Sequence, residues 1–346
     1  MPYEKIDIKS MEPEQIRAFL TELGQPGFRA GQVFKWMHLG ARSFSEMTDL
    51  PVALRDELER QCRLYRPEIE ARSVSSADGT IKYLWRLHDG NCVESVFMSY
   101  RHGNTVCIST QVGCRMGCAF CASSKLGFLR NLEPSEMLDE VLSSQEDSGA
   151  RISNVVLMGI GEPLDNFDNV VSFLRLINSG RGMNIGMRRM SLSTCGISGM
   201  IRRLAMQRLQ ITLSVSLHAP DDETRSRLMP SNRSMDIKAL LSECDEYYDL
   251  TGRRVSYEYA MIRGVNDSVR QAELLAGLIR GKGAHINIIQ LNEVEGSLLL
   301  PCKRRDIDRF VRILEGEGIN VTLRRRLGGD IDASCGQLRR KRMESL

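Results

Sequence analysis

The chain has 346 residues, 42% of them hydrophobic and 26% charged, with a formal net charge of +3 and ten cysteines. That is long enough for a sizeable core, read as one large domain with an appendage, in an ordinary soluble globular protein. No run of 18 apolar residues occurs, which excludes a transmembrane helix, and the opening Met-Pro-Tyr-Glu-Lys-Ile-Asp lacks an apolar signal region. A cytoplasmic location is therefore expected, with no membrane partner. In a reducing compartment the cysteines read as ligands, catalytic thiols or buried apolar residues rather than a disulfide framework. Cys62, Cys92, Cys195, Cys244 and Cys302 are scattered and read as buried.

Residues 1–62 read as a small helical domain. Pro13 stands near a helix start, and Ile16, Phe19, Leu20 and Leu23 follow at helical spacing until Gly24 and Pro26-Gly27 stop it. A second helix is expected from Ala30 to His38 and a third from Pro51; Trp36 is read as core. Residues 63–104 change to period two. Asp78-Gly79 and Asp89-Gly90 are turn signals beside Thr80–Leu87 and Asn91–Ser99, so a short antiparallel β extension is expected. From 105 to 346 apolar strands alternate with helices, about six β–α units and a final strand at Ile319–Arg325. This predicts an α/β fold, a parallel barrel or partial barrel whose ligands sit at the carboxyl ends of the strands.

The stretch from Cys107 to Cys121 stands between the first barrel strand and helix. Cys114, Cys118 and Cys121 form a C-x3-C-x2-C triplet within eight residues, so they share one loop. Four cysteines usually hold an iron–sulfur cluster. Three, with no fourth at a matching distance, suggest a four-iron cluster with one iron open to substrate. A structural zinc site, normally four-ligand, and unrelated buried cysteines are the alternatives.

Small polar groups recur at the strand ends: Gly161 and Glu162 after 154–158, Ser193 at the end of 189–193, Ser216-Leu217-His218 at the end of 210–216, and Asn292 after 285–290. Each signal is weak by itself; a tight turn explains Gly161 and Glu162, and a satisfied polar residue explains His218. Near the end, Cys335 follows the glycines 328 and 329. An adjoining arginine-rich run would favour its thiolate, against the alternative of an inert buried thiol. Residues 301–346 carry twelve Lys/Arg against seven Asp/Glu, while 1–60 carry eight against ten. The basic segment suits phosphate contacts or, equally, a solvated face.

The triplet, with Phe120 before the last cysteine, resembles the radical S-adenosylmethionine superfamily. Cys107-Ile-Ser-Thr-Gln-Val-Gly-Cys114, Gly-Ile-Gly161-Glu162-Pro-Leu-Asp-Asn, Leu-Ser193-Thr, Ser216-Leu217-His218-Ala-Pro, Val-Asn-Asp267 and Asp330-Ile-Asp-Ala-Ser-Cys335-Gly-Gln-Leu are similar to its RlmN/Cfr adenosine methyltransferases, in order and over nearly the whole chain. The resemblance implies a partial (β/α)6 barrel with an N-terminal helical accessory domain that helps hold RNA. It implies a [4Fe-4S] cluster on Cys114, Cys118 and Cys121, and S-adenosylmethionine on the cluster's open iron and on Gly161, Glu162, Ser193, Ser216, Leu217, His218 and Asn292.

It also implies a route through protein thiols. One S-adenosylmethionine methylates Cys335. Reductive cleavage of a second gives a 5′-deoxyadenosyl radical that takes hydrogen from that methyl group. The resulting carbon radical adds to an adenine, Glu94 removes the ring proton, and Cys107 attacks the Cys335 sulfur, freeing RNA and leaving a disulfide. A strand carboxylate exposed to solvent is the plainer reading of Glu94. The implied substrate is carbon 2 of an adenosine in the peptidyl-transferase centre of 23S rRNA, with the adenosine beside the anticodon of tRNA as a second target. An electron donor such as flavodoxin or ferredoxin is implied, and a monomer is expected. The loop before Cys335 departs from the common Arg-Gly-Asp-Asp of the RlmN branch, reading Leu327-Gly328-Gly329-Asp330. A Cfr-like enzyme acting at carbon 8 and conferring antibiotic resistance is the nearest alternative. A non-catalytic zinc-containing RNA-binding protein and a radical enzyme acting on a small molecule are alternatives of other classes.

Overall fold

The computed structural model describes residues 5–291, 298–325 and 327–331. Near the N-terminus, helices α1 (Pro13–Glu22), α2 (Arg29–His38) and α3 (Val52–Gln61) are framed by a parallel pairing of β1 (Ile6–Asp7) with β2 (Cys62–Arg63). Pro13 starts α1 where a missing N–H costs nothing, and Glu12 and Gln15 satisfy each other's backbone donors in a capping box. The helices bury Ile16, Leu20, Val33, Phe34, Met37, Leu54 and Leu58 in one cluster. Trp36 is half-buried against it, its indole N–H donating to Asp49 at 2.6 Å.

A ten-stranded mixed sheet forms the body. Strands β3 (Glu68–Val74), β4 (Ile81–Arg86), β5 (Cys92–Tyr100) and β6 (Gly103–Cys107) run antiparallel. The expected antiparallel extension is thus present, but it is hydrogen-bonded into the main sheet rather than forming its own. From β6 the chain alternates through α4 (Pro134–Ser148), β9 (Ile152–Leu157), α5 (Phe167–Asn178), β10 (Met190–Thr194), α6 (Met200–Met206), β11 (Thr212–Ser216), α7 (Asp222–Leu228), α8 (Ile237–Thr251), β12 (Val255–Met261), α9 (Val269–Ile279), β13 (His285–Gln290), α10 (Arg304–Gly316) and β14 (Asn320–Leu323). These strands are parallel, and the order across the sheet is β14-β13-β12-β11-β10-β9-β6-β5-β4-β3. Among the described residues the two ends of the sheet are not paired with each other, so the barrel is open. Two further strands, β7 (Gln111–Gly113) and β8 (Phe128–Asn131), form a separate antiparallel ribbon that the sequence reading did not anticipate, as it did not anticipate α7.

One face of the sheet is apolar. Val106, Val155, Leu157, Leu192, Leu213, Val215, Val255, Tyr257, Ile286 and Ile288 pack against the helices in the main core. Fully burying each such side chain is worth roughly 1.5–3 kcal/mol. The N-terminal bundle is fastened to the outside of this layer. Leu176 of α5 belongs to the bundle's own cluster, and a buried ion pair joins Lys9 to Asp139 of α4 at 2.8 Å. Arg63–Glu133 at 2.6 Å and Arg66–Glu146 at 2.8 Å add two more links.

Candidate cofactor site

The cysteine loop is built by the β7–β8 ribbon. Gly113 closes it at φ +84°, where an added Cβ would stand 1.8 Å from the Gly127 carbonyl oxygen, so only glycine fits. Cys114 N–H donates to that same carbonyl at 3.0 Å. Inside the loop Cys121 N–H donates to Cys118 O, and the Ser124 hydroxyl reaches both Cys118 O and Cys121 O at 2.8 Å. Ala119 N–H donates to Leu228 O, which ties the loop to α7.

The loop faces the carboxyl ends of the barrel strands across a cavity of about 300 Å³, at the lower end of the range for small-molecule sites. Cys114, Cys118, Cys121, Gly161, Glu162, Ser193, Ser216 and His218 all line it. The strand-end groups and the triplet therefore meet in one place. Leu217 does not line the cavity; its side chain is in the main core, while its N–H donates to Glu258 O. Asn292 and Cys335 lie outside the described residues.

Glu162, Gly161 and His218 are held from behind. Glu162 is buried, and its carboxylate accepts from Thr194 Oγ1 at 2.6 Å, Cys195 N at 2.8 Å and Leu164 N at 3.0 Å. Burial raises its pKa, and those three donors oppose the rise. Gly161, at φ +110°, packs so closely on Gln111 that a Cβ would be 2.7 Å from the Gln111 Cβ. His218 adopts φ +56°, uncommon for a side-chain-bearing residue. Asn266 fixes it there, its Nδ2 donating to His218 O and Ala260 O, both at 2.7 Å. Ala260 N–H donates to His218 Nδ1 at 2.9 Å, which leaves the hydrogen of the neutral ring on Nε2. Burial and nearby Arg225 push the His218 pKa down to about 3, and Phe120 meets the ring edge-on at 4.8 Å.

Sequence reading missed Arg225, Glu258 and Asn266 as parts of this site. Arg225 is buried in α7 and donates to Cys195 O at 2.7 Å, Ser216 O at 3.1 Å, Leu217 O at 3.2 Å and Asn232 Oδ1 at 2.7 Å. It clamps the ends of β10 and β11 together. Glu258 lines the cavity with one oxygen bonded to Asn287 Nδ2 at 2.9 Å; its other oxygen has no protein partner among the described residues. A lone acid within Val-Ser-Tyr-Glu-Tyr-Ala-Met was the available signal, since carboxylates are seldom fully buried unless something pairs with them.

The thiols suit a cationic cluster. Burial pushes the Cys114 thiol up to about 12, and burial with Cys121 and Cys114 nearby pushes the Cys118 thiol higher. Iron would supply the positive charge that thiolates need here. Among the described residues no three such side chains surround a single ion. Thiolates on a four-iron cluster bind separate irons and so stand further apart than around one zinc.

Glu94 and Cys107 lie apart from the cavity lining. Cys107, at the end of β6, is buried with Val96, Met98 and Leu327. Glu94 is two residues before Val96, which pairs with Cys107 in register. It is not a solvent-exposed strand carboxylate: it is 2% exposed and ion-paired with the fully buried Lys82 at 3.1 Å. Among the described residues no disulfide is present; Cys335, the expected partner of Cys107, is not one of them. Cys62, Cys195 and Cys244 are buried as anticipated, and Cys92 and Cys302 half-buried.

A three-cysteine loop facing the strand ends of an open α/β barrel places the chain in a class, and the class model agrees: residues 108–275 match the radical SAM superfamily. Residues 6–64 match the ribosomal RNA large subunit methyltransferase N-terminal domain. The chain is 50% identical to a probable dual-specificity RNA methyltransferase RlmN of Lachnoclostridium phytofermentans, over 97% of this chain and 95% of that one. It is 47% identical to the protein of that name from Desulforamulus reducens, over 97% of each. A crystal structure of a radical SAM methyltransferase from Sphaerobacter thermophilus superposes with a TM-score of 0.91 at 39% identity, covering 96% of this chain and 98% of that one. The chain belongs to the RlmN family of radical SAM methyltransferases.

Proposed function

We propose that this protein methylates carbon 2 of an adenosine in 23S rRNA, and of the adenosine beside the anticodon in tRNA, through a methylated Cys335. The observation that carries the reading is the convergence of Cys114, Cys118 and Cys121 with Gly161, Glu162, Ser193, Ser216 and His218 on one cavity. Near-full-length similarity to proteins named as dual-specificity RNA methyltransferases supports the substrate class.

When bound, a [4Fe-4S] cluster and S-adenosylmethionine supply the methyl group and the one-electron chemistry that an unreactive aromatic C–H requires. The chain's own residues do the rest. Cys114, Cys118 and Cys121 hold the cluster. Glu162, Ser193, Ser216, Asn292 and the Nε2–H of His218 offer hydrogen bonds to the cofactor's polar groups, with Gly161 and the Leu217 backbone shaping the wall. Cys335 accepts the methyl group as a thiolate and carries its carbon to the adenine. Glu94 removes the ring proton, and Lys82 beside it matches the charge of the buried carboxylate. Cys107 then attacks the Cys335 sulfur, which breaks the bond from that sulfur to the added carbon. The one-electron chemistry draws on an electron donor such as flavodoxin or ferredoxin, and the resulting disulfide requires two electrons and two protons from an external reductant before the next turnover. The N-terminal bundle and the basic C-terminal segment hold RNA.

The reading is tested by trapping. Cys107→Ala should leave RNA covalently attached to protein, whereas Cys335→Ala should give neither adduct nor product. Methylation of RNA by Cys335→Ala would overturn the assigned intermediate.

A further inference from the structure

The turn between β3 and β4 does more than join two strands. Asp78-Gly79 needs only one carboxylate oxygen to close it, the one that accepts from Thr80 N at 3.0 Å. The other oxygen accepts from Gly328 N at 2.9 Å, 250 residues away in sequence. Two residues further on, Asp330 returns the contact. Its carboxylate accepts from Ser75 Oγ at 2.6 Å, Ser76 N at 2.9 Å and Ser76 Oγ at 3.1 Å. The Ser75 hydroxyl oxygen is itself oriented by Ala77 N at 3.2 Å and Asp78 N at 3.3 Å. Leu327 meanwhile packs onto the small apolar cluster that contains Cys107. The segment after β14, at one edge of the open sheet, is thus clasped to the turn at the opposite edge, over Cys107.

We infer that the β3–β4 turn is a cradle that positions the Cys335 segment, with Ser75, Ser76 and Asp78 as positioning residues for the methyl-carrying thiol. The inference rests on the roles proposed above for Cys335 and Cys107. Cys335 stands four residues beyond Ile331, the last described residue of the clasped segment. Four residues reach at most about 14 Å, so the clasp keeps the thiol within that reach of Ile331, in a segment that Leu327 packs onto the Cys107 cluster. Confinement raises its effective concentration there as a short tether does. Asp330 is exposed, so its bonds can open and re-form without disturbing the core. That suits a segment whose thiol must serve the cofactor cavity, the RNA base and Cys107 in turn. On this reading the antiparallel strands carry the cradle to the far edge of the barrel.

The test uses the full-length holoprotein and Asp330→Ala, which removes three hydrogen bonds from an exposed position. Hydrogen exchange followed by mass spectrometry reads the clasp at 327–331, independently of any chemistry. Diamide, which takes two electrons and two protons from a pair of thiols, reads the approach of Cys335 to Cys107 through the rate of disulfide formation. In Asp330→Ala, protection of 327–331 should be lost and the disulfide should form on the order of tenfold more slowly, the effect of losing charge-assisted hydrogen bonds. Ser75→Ala should act in the same direction, and its combination with Asp330→Ala should be no worse than Asp330→Ala alone. Unchanged protection in Asp330→Ala would overturn the cradle. Lost protection with an unchanged disulfide rate would overturn its positioning role. If the wild-type chain, with its cluster intact, formed no such disulfide, the Cys107–Cys335 pairing itself would fall, and the two failures are told apart.

Discussion

The two faces of the ten-stranded sheet are made by the same strands and are chemically opposite. Outward, toward the helices, stand Val106, Leu157, Leu192, Leu213, Val215 and Tyr257 in a dry core. Inward stand Lys82, Glu94, Cys107, Ser193, Ser216 and Glu258, most of them buried as well. Two-residue periodicity normally separates a buried face from a wet one. Here it separates a face that stabilises the fold from one that holds its polar groups away from water for chemistry. A polar group removed from water must be matched, and on the inner face Lys82 pairs with Glu94 while Asn287 satisfies one oxygen of Glu258.

Disrupting the inner face where it meets the cysteine loop should have the largest effect. Cys118→Ala is expected to abolish bound iron and sulfide and to bring product below detection, with the helical circular dichroism of the wild type retained. Iron at wild-type levels in that variant would remove the triplet from the site. Next comes the inner pair. If Lys82 and Glu94 are shielded as the geometry shows, Lys82→Met should cost about 3–5 kcal/mol by stranding a buried carboxylate. Adding Glu94→Leu should recover much of that stability while leaving activity lost. A cost under about 0.5 kcal/mol in denaturant unfolding would mean that this face is wet. On the outer face, Leu213→Ala should cost about 2–5 kcal/mol through the cavity it leaves, with bound iron unchanged at temperatures where the variant is fully folded.

The last effect is one of pH. Burial holds His218 down to about 3 and His38 to about 4, both below the ordinary 6.5. The unfolded chain therefore binds more protons than the folded one between those values and 6.5. The rings' contribution to stability is full above pH 6.5 and falls as the pH drops toward 4, by up to about 1.4 kcal/mol per pH unit for each ring, while buried Glu140 and Glu162, whose pKa values burial raises, act in the opposite direction. Measured by denaturant unfolding from pH 7.5 to 5, His38→Gln should lose less stability, or gain more, than the wild type. The same change with pH in the two proteins would contradict a neutral, buried His38.

The outer face was easy to read from sequence because apolar runs of strand length alternate with helical patterns, and the β–α order follows from them. The cysteine triplet and the strand-end polar residues were legible as motifs. Glu94 was less so. Alternation in Cys-Val-Glu-Ser-Val-Phe-Met assigns Glu94 to the face opposite Val93, but says nothing of whether that face meets water. Its burial depends on Lys82, a residue of another strand. Arg225 was hidden for the same reason, since its backbone acceptors lie just beyond β10 and at the end of β11. The clasp between Asp78 and Gly328 joins residues 250 apart, and Asp78-Gly79 by itself reads as nothing more than a turn.

The central claim is that the inner face is an adenosine-methylating site, and nucleoside mass spectrometry tests it most directly. The chain would be expressed in a host lacking its own such enzyme, and rRNA and tRNA digested separately. The account predicts 2-methyladenosine in both. 8-Methyladenosine in its place, or no methylated adenosine from a protein with an intact cluster, would contradict it.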